Sequence, residues 1–219
     1  KVEMLLSSDS GIGISKSMGL GMIGFADAFE GLKPDLLVLL GDRFEIFSAA
    51  SVATILKIPI AHLHGGETTE GAFDESFRHS ITKMSHLHFV SMLDYRHRVI
   101  QLGEYPDRVF NVGAIGIDNI KRLSLLSRKD TEESIGFSLG KRNLLITFHP
   151  ATLEKSTSKE QFSNLLGALE ELEKTNLFFT KTNADTDSRV INKMIDKYVK
   201  NHSDKAIAYT SLGQLRYLS

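Results

Sequence analysis

Two stretches decide how this chain folds: LLVLLGDRFEIF, residues 36–47, and HLHGGETTEGAFDESFRH, residues 62–79. In each, an apolar run stops abruptly at acids, histidines and arginines. Leu36 to Leu40 is apolar without alternation, which predicts a parallel strand covered on both faces by helices. Gly41, Asp42 and Arg43 then fall at its mouth. Ligands of open α/β sheets bind outside the carboxyl ends of the strands, so these polar residues are the first candidates for a site.

Outward from there the pattern alternates regularly. A glycine-rich helix is predicted over about 14–30, a strand at 36–40, a helix at 44–57, a strand at 58–63 and a helix at 74–86 that opens on the acids Asp74 and Glu75. Strand 87–91, helix 92–102 and strand 108–113 complete a first βαβ series. The polar segment around 118–141 reads as a hinge. A second series follows, with strands at 143–148, 177–181 and 205–210 and helices at 158–174 and 186–200. The expected architecture is therefore two doubly wound, Rossmann-like α/β lobes: residues 1–118, a hinge at 119–141, and residues 142–219 as part of a second lobe. The opening KVEMLLSS reads as a strand already under way, and the closing SLGQLRYLS as the first turns of a helix. Both predict a portion of a longer chain, with the first strand and the second lobe incomplete, and a gap or a partner chain at the sheet that lacks its first strand.

Composition narrows the function. The 219 residues carry a formal net charge of −1, so no global field attracts nucleic acid or an anionic membrane, and an anionic ligand must be held locally. The absence of cysteine excludes disulfides, a zinc-thiolate site and a cysteine nucleophile. No stretch has transmembrane length, and the expectation is a soluble, cytoplasmic protein.

Candidate chemistry gathers at the strand ends. Asp42 suits a general acid or base, or equally the N-cap of the helix after it. Arg43 offers a forked donor for phosphate or carboxylate, or a surface ion pair with Glu45 or Asp42. His62 and His64 are two apart and point the same way on an extended strand, a pattern that metal hydrolases also use, although no third and fourth ligands stand at other strand ends. Gly65 and Gly66 let the backbone turn closely around a ligand before Glu67. Asp74 and Arg78 lie at i, i+4 on the next helix beside Glu75 and His79, the spacing of an ordinary helix ion pair. In the second lobe His149 ends one buried strand, and Asn183 follows the next.

In this order, Gly-Asp-Arg, His-Leu-His-Gly-Gly-Glu, Asp-Glu-Ser-Phe-Arg-His-Ser-Ile-Thr-Lys, Phe-His-Pro and Thr-Asn-Ala-Asp, the motifs resemble those of the hydrolysing UDP-N-acetylglucosamine 2-epimerases of sialic-acid biosynthesis. The resemblance covers essentially the whole chain. It implies a glycosyltransferase-B type fold that binds the nucleotide sugar between its lobes, a homo-oligomer, and release of UDP and N-acetylmannosamine. By resemblance Asp42 is the catalytic aspartate, Asp74 the acid of the helix-starting pair and His149 the histidine beside the diphosphate. Arg43 and Asn183 contact the nucleotide, and Gly65, Gly66, Arg78 and His79 join the substrate site. One departure stands out. Many members have His-Ile-Glu-Gly-Gly-Glu, with a glutamate where this chain has His64, so either His64 substitutes as the proton-transfer group or Glu67 reaches the same pocket.

The implied reaction eliminates UDP from C1 as a base removes the C2 proton, and water then adds to the glycal. It needs no redox cofactor and no metal. Carboxylates or histidine must flank the ring, and cations must meet the leaving diphosphate. Three other readings stay open: the 2-epimerase acting on the diacetylated bacillosamine nucleotide, a metal-dependent hydrolase, and a non-catalytic nucleotide-sugar sensor.

Overall fold

The structure is a computed structural model that describes residues 1–6, 10–149, 158–182 and 188–219. Its contacts divide it into two compact units, Lys1–Asn119 and Ile120–Ser219.

The first unit runs α1 (Gly11–Leu32), β1 (Leu37–Leu40), α2 (Phe44–Ile55), β2 (Ile60–Leu63), α3 (Asp74–Met84), β3 (Leu87–Val90), α4 (Leu93–Gln101) and β4 (Val109–Asn111), followed by α5 (Ile115–Arg122). Its sheet is parallel, in the order β1-β2-β3-β4. Each crossover advances one strand in the same direction, and right-handed crossovers then place their helices on one face. The register shows which face. Leu39, His62, His88 and Val109 line up across the four strands and are all buried. Leu39 and Ile60 pack on Phe29, Ala49, Ala50, Ala53 and Ile81, where three alanines of α2 let the backbone come close. Val90, Val99 and Val109 seat α4 on the same side.

The opposite face corrects the expectation that β1 is covered on both sides. Val38 and Leu40 are 59% and 54% exposed, and Phe110, stacked on Phe89 at 5.4 Å, is 42% exposed. An unbroken apolar run reports that neither face is polar; it does not report what covers each face. A groove of about 370 Å³ lies on this side, lined by Val38, Leu63, His64, Phe89, Val112 and Ile115 among others.

A second correction concerns the start. Residues 1–6 form no strand but lie along α1, where the Leu6 amide donates to Ser17 Oγ at 3.1 Å and Met4 packs with Ile14 and Phe44. Gly21 makes room for it, since a Cβ there would fall 2.6 Å from Met4 Cε. The alternating Val2, Met4 and Leu6 suit contact with a helix as well as pairing in a sheet.

The second unit contains α6 (Arg128–Ile135), β5 (Arg142–Thr147), α7 (Ser158–Glu170), β6 (Thr175–Thr180), α8 (Ser188–Asn201), β7 (Ala206–Tyr209) and α9 (Gly213–Leu218), with a parallel sheet in the order β5-β6-β7. Leu177, Phe179 and Ala206 face Phe162, Leu169, Ile191, Ile195 and Tyr198 of α7 and α8. Phe178, on the other side of β6, packs with Ile135 and Leu212. The stretch read as a hinge therefore contains a helix built into this unit. Ser127 Oγ accepts the Asp130 amide at its start, and Gly136 ends it at φ 67°. Its surface charges hid one buried stripe, Thr131 and Ile135. Among the described residues no helix is long and apolar enough to cross a membrane.

Candidate active site

Three polar residues follow the carboxyl ends of adjacent strands: Asp42 after β1, His64 after β2 and Ser91 after β3. One arginine ties the first two together. Arg78, on α3, is 6% exposed, and its guanidinium donates to Asp42 Oδ2, to Thr69 Oγ1 at 2.9 Å, to the His64 carbonyl at 3.0 Å and to Glu67 Oε2 at 3.4 Å. All four partners lie outside α3. The helix is held for this purpose by Ile81 in the core and by Phe77, whose ring lies 5.0 Å from that of Phe47. Asp42 is not the helix cap: Arg43 holds that place in α2, without a side-chain cap bond.

The strand ends at Leu63, and His64 adopts a left-handed backbone at φ 63°. Such a conformation is uncommon for a residue with a Cβ, and histidine is among the side chains enriched in it. It turns His64 out of the row that His62 occupies, so the two rings do not share a direction as an extended strand would have required. His64 Nδ1 stands 2.6 Å from Glu67 Oε1, which also accepts from Ser91 Oγ at 2.7 Å. Partial burial pushes the Glu67 carboxyl up, but the bonds from Ser91 and His64, with the charges of His64 and Arg78, outweigh it and leave it below the ordinary value. The loop is fixed from behind as well. A Cβ on Gly66, at φ 78°, would fall 2.5 Å from the Tyr95 carbonyl of α4, and Arg98 donates to the Gly66 carbonyl. The close approach at this glycine is to α4.

His62 points into the covered face. Its Nε2 lies 2.8 Å from the Gly41 carbonyl and its Nδ1 3.2 Å from Thr82 Oγ1. Burial lowers its pKa to about 4, against the Gly41 bond and with help from the charges of His88, Arg78 and His64. The ring is therefore neutral near pH 7. A carbonyl only accepts, so Nε2 carries the proton, and the lone pair of Nδ1 shares the Thr82 hydroxyl with the Arg78 carbonyl, 3.0 Å from the same oxygen. With both nitrogens engaged, His62 does not present itself as one of a metal-binding pair. Between pH 6.5 and about 4 the unfolded chain takes up a proton here that the folded one refuses, so stability is full above this window and falls as pH drops through it. We expect a loss of about 3 kcal/mol from this group by pH 4. Urea denaturation at pH 7 and pH 4.5 checks it: His62→Gln should flatten the dependence, and an equally steep profile in the variant would assign it elsewhere.

The remaining sequence candidates are placed as follows. Arg43 donates to Glu45 at 3.2 and 3.4 Å and lies over the Phe44 ring. His79 Nε2 stands 3.1 Å from Glu75 Oε1 on its own helix. Asp74 opens α3. His149 is exposed, two residues past β5 in the second unit. Asn183 lies outside the described residues. Sequence reasoning missed Ser91 and Thr69, whose amide donates to Glu75 Oε2 at 2.6 Å. Nothing in the sequence singles out such common loop residues. Ser91 alone carries a faint signal, as the first polar residue after a strand.

The model of one known family matches this chain over residues 1–219. The chain belongs to the UDP-N-acetylglucosamine 2-epimerase family. It is 46% identical over its whole length to a GDP/UDP-N,N'-diacetylbacillosamine 2-epimerase (hydrolyzing) of Campylobacter jejuni, covering 57% of that protein. It is 41% identical over 92% of its length to polysialic acid biosynthesis protein P7 of Escherichia coli, covering 51% of it. The chain thus spans about half the length of the curated relatives it matches. The crystal structure of a UDP-GlcNAc 2-epimerase from Neisseria meningitidis bound to UDP-GlcNAc superposes with a TM-score of 0.73 at 17% identity, over 98% of this chain and 58% of that one. This epimerase family fold agrees with the parallel α/β architecture read from the sequence.

Proposed function

We propose that the protein is a hydrolysing nucleotide-sugar 2-epimerase acting on a UDP-linked 2-acetamido sugar, with UDP-N-acetylglucosamine the simplest substrate and N-acetylmannosamine and UDP the products. The observation that carries this reading is Arg78, which ties an acid and a histidine at adjacent strand mouths to one buried guanidinium. The pair supplies what the reaction needs, two proton-transfer groups beside a sugar ring. His64 or Asp42 takes the C2 proton; the C2–H electrons form the C1–C2 double bond, and the C1–O electrons leave with UDP. Water then adds its oxygen to C1 while C2 receives a proton on the opposite face from the other group; the proton that the water gives up restores that group, and the first group returns its proton to solvent. Arg43, His149 and Asn183 are assigned to the nucleotide and its diphosphate, and Asp74, Gly65, Gly66 and His79 to the sugar side.

A second substrate has its own support. The 46% identity to a diacetylbacillosamine epimerase over the full chain favours a sugar with a second acetamido group. We further propose a cytoplasmic homo-oligomer serving sialic-acid-type biosynthesis. Incubating the intact protein with each nucleotide sugar in deuterated water tests the reading. A free 2-epimerised sugar carrying deuterium at C2 supports it and identifies the substrate. Binding of a nucleotide sugar without UDP release would leave a sensor, and activity abolished by chelators would leave a metal hydrolase.

A further inference from the structure

We propose that Ser91 is a positioning residue which, through Glu67, holds the His64 imidazole with Nδ1 protonated and Nε2 free to exchange a proton with the substrate; the last clause rests on the function proposed above. The geometry separates the roles of the two residues that the sequence left open. Glu67 is committed on both oxygens: Oε1 accepts from Ser91 at 2.7 Å and faces His64 at 2.6 Å, and Oε2 faces Arg78 at 3.4 Å. An ionised carboxylate offers only lone pairs, so the nitrogen that faces it must be the donor. That assigns the proton of a neutral His64 to Nδ1 and leaves the lone pair on Nε2. Glu67 is then the anchor of the histidine rather than a second proton carrier.

Ser91 adds what His64 alone lacks. Its hydroxyl, at the mouth of the next strand, occupies Glu67 Oε1 from β3, while Arg78 occupies Oε2 from α3, so the carboxylate is held from two elements and cannot swing away from the ring. The left-handed backbone of His64 is clamped by Arg78 at its carbonyl, and the following turn by Arg98 at the Gly66 carbonyl. The charged and titratable groups around the ring are Glu67 on its own loop, Arg78 from α3 with Asp42 beyond it, His62 on β2 and Arg98 from α4. A proton taken up at Nε2 makes an imidazolium whose charge faces Glu67.

The test is nitrogen-15 NMR of the histidine rings in the intact protein, paired with steady-state kinetics on the substrate found above. The wild type should show His64 as the Nδ1–H tautomer. Ser91→Ala should lose that preference and lower kcat about 10-fold or more with KM within about twofold, and Ser91→Thr, which keeps the hydroxyl, should restore both. An unchanged His64 tautomer in Ser91→Ala overturns the proposal whatever the protein acts on. A tautomer change in Ser91→Ala of a protein that turns over no nucleotide sugar supports the positioning and removes only the proposed activity. A fall in kcat that Ser91→Thr does not restore also overturns it, because the hydroxyl would then not be the cause.

Discussion

Replacing Arg78 with leucine should cost about 3 kcal/mol of stability and all measurable turnover, because removing one partner of a buried ion pair strands the charge of the other. Arg78 is 6% exposed, and its guanidinium holds two carboxylates, a hydroxyl and a carbonyl from two separate loops, the one after β1 and the one after β2. Asp42 and Glu67 are themselves partly exposed, which puts the loss at the low end of the range measured for buried pairs. Arg78→Lys should recover only part of it, since an ammonium cannot reproduce a planar fork that meets four acceptors. Urea denaturation reads the difference. A loss below about 1 kcal/mol would put Arg78 among ordinary surface ion pairs and remove it as the centre of the site.

Asp42→Asn should separate chemistry from folding. The amide keeps an oxygen for Arg78 and nearly the same shape, but it cannot carry a proton to or from the sugar, so turnover should fall about 10²-fold or more while nucleotide affinity stays near wild type. Denaturation should show a smaller loss than for Arg78→Leu, because Arg78 retains Thr69, the His64 carbonyl and Glu67. Unchanged turnover would exclude Asp42 from the reaction. A double-mutant cycle between the two positions then measures how far the aspartate acts through the arginine.

These two residues also show where reading a sequence stops. Asp42 was legible because a buried apolar run followed by an acid marks a strand mouth, and strand mouths in parallel α/β sheets face ligand. From spacing alone Arg78 was legible only as half of a helix ion pair with Asp74, and its place in the site came from the resemblance, since i, i+4 spacing is all that one dimension offers. Its partners are 36, 14, 11 and 9 residues away along the chain, on other loops. Thr69 was not legible at all, and Ser91 only as the first polar residue after a strand. Each is a common polar loop residue whose meaning comes from its neighbour in space.

The sequence by itself determined the alternation of strands and helices, the division into two α/β units, the strand mouths that carry Asp42 and His64, and the family. These follow from hydrophobic period and from motifs read within a few residues, both of which are local. Only the tertiary structure decided that the opening residues lie along α1, that the charged stretch before β5 contains a helix of the second unit, and that one face of the first sheet is uncovered among the described residues. It also decided which histidine points into the core and which stands with the polar groups at the strand mouths. His62 and His64 differ by two positions in sequence, but the strand ends between them, and one turn of backbone to φ 63° sends His62 to Gly41 and Thr82 and His64 to Glu67 and Ser91. A backbone reversal at one residue is invisible to periodicity, because it is set by the arginine and the helix packed around it.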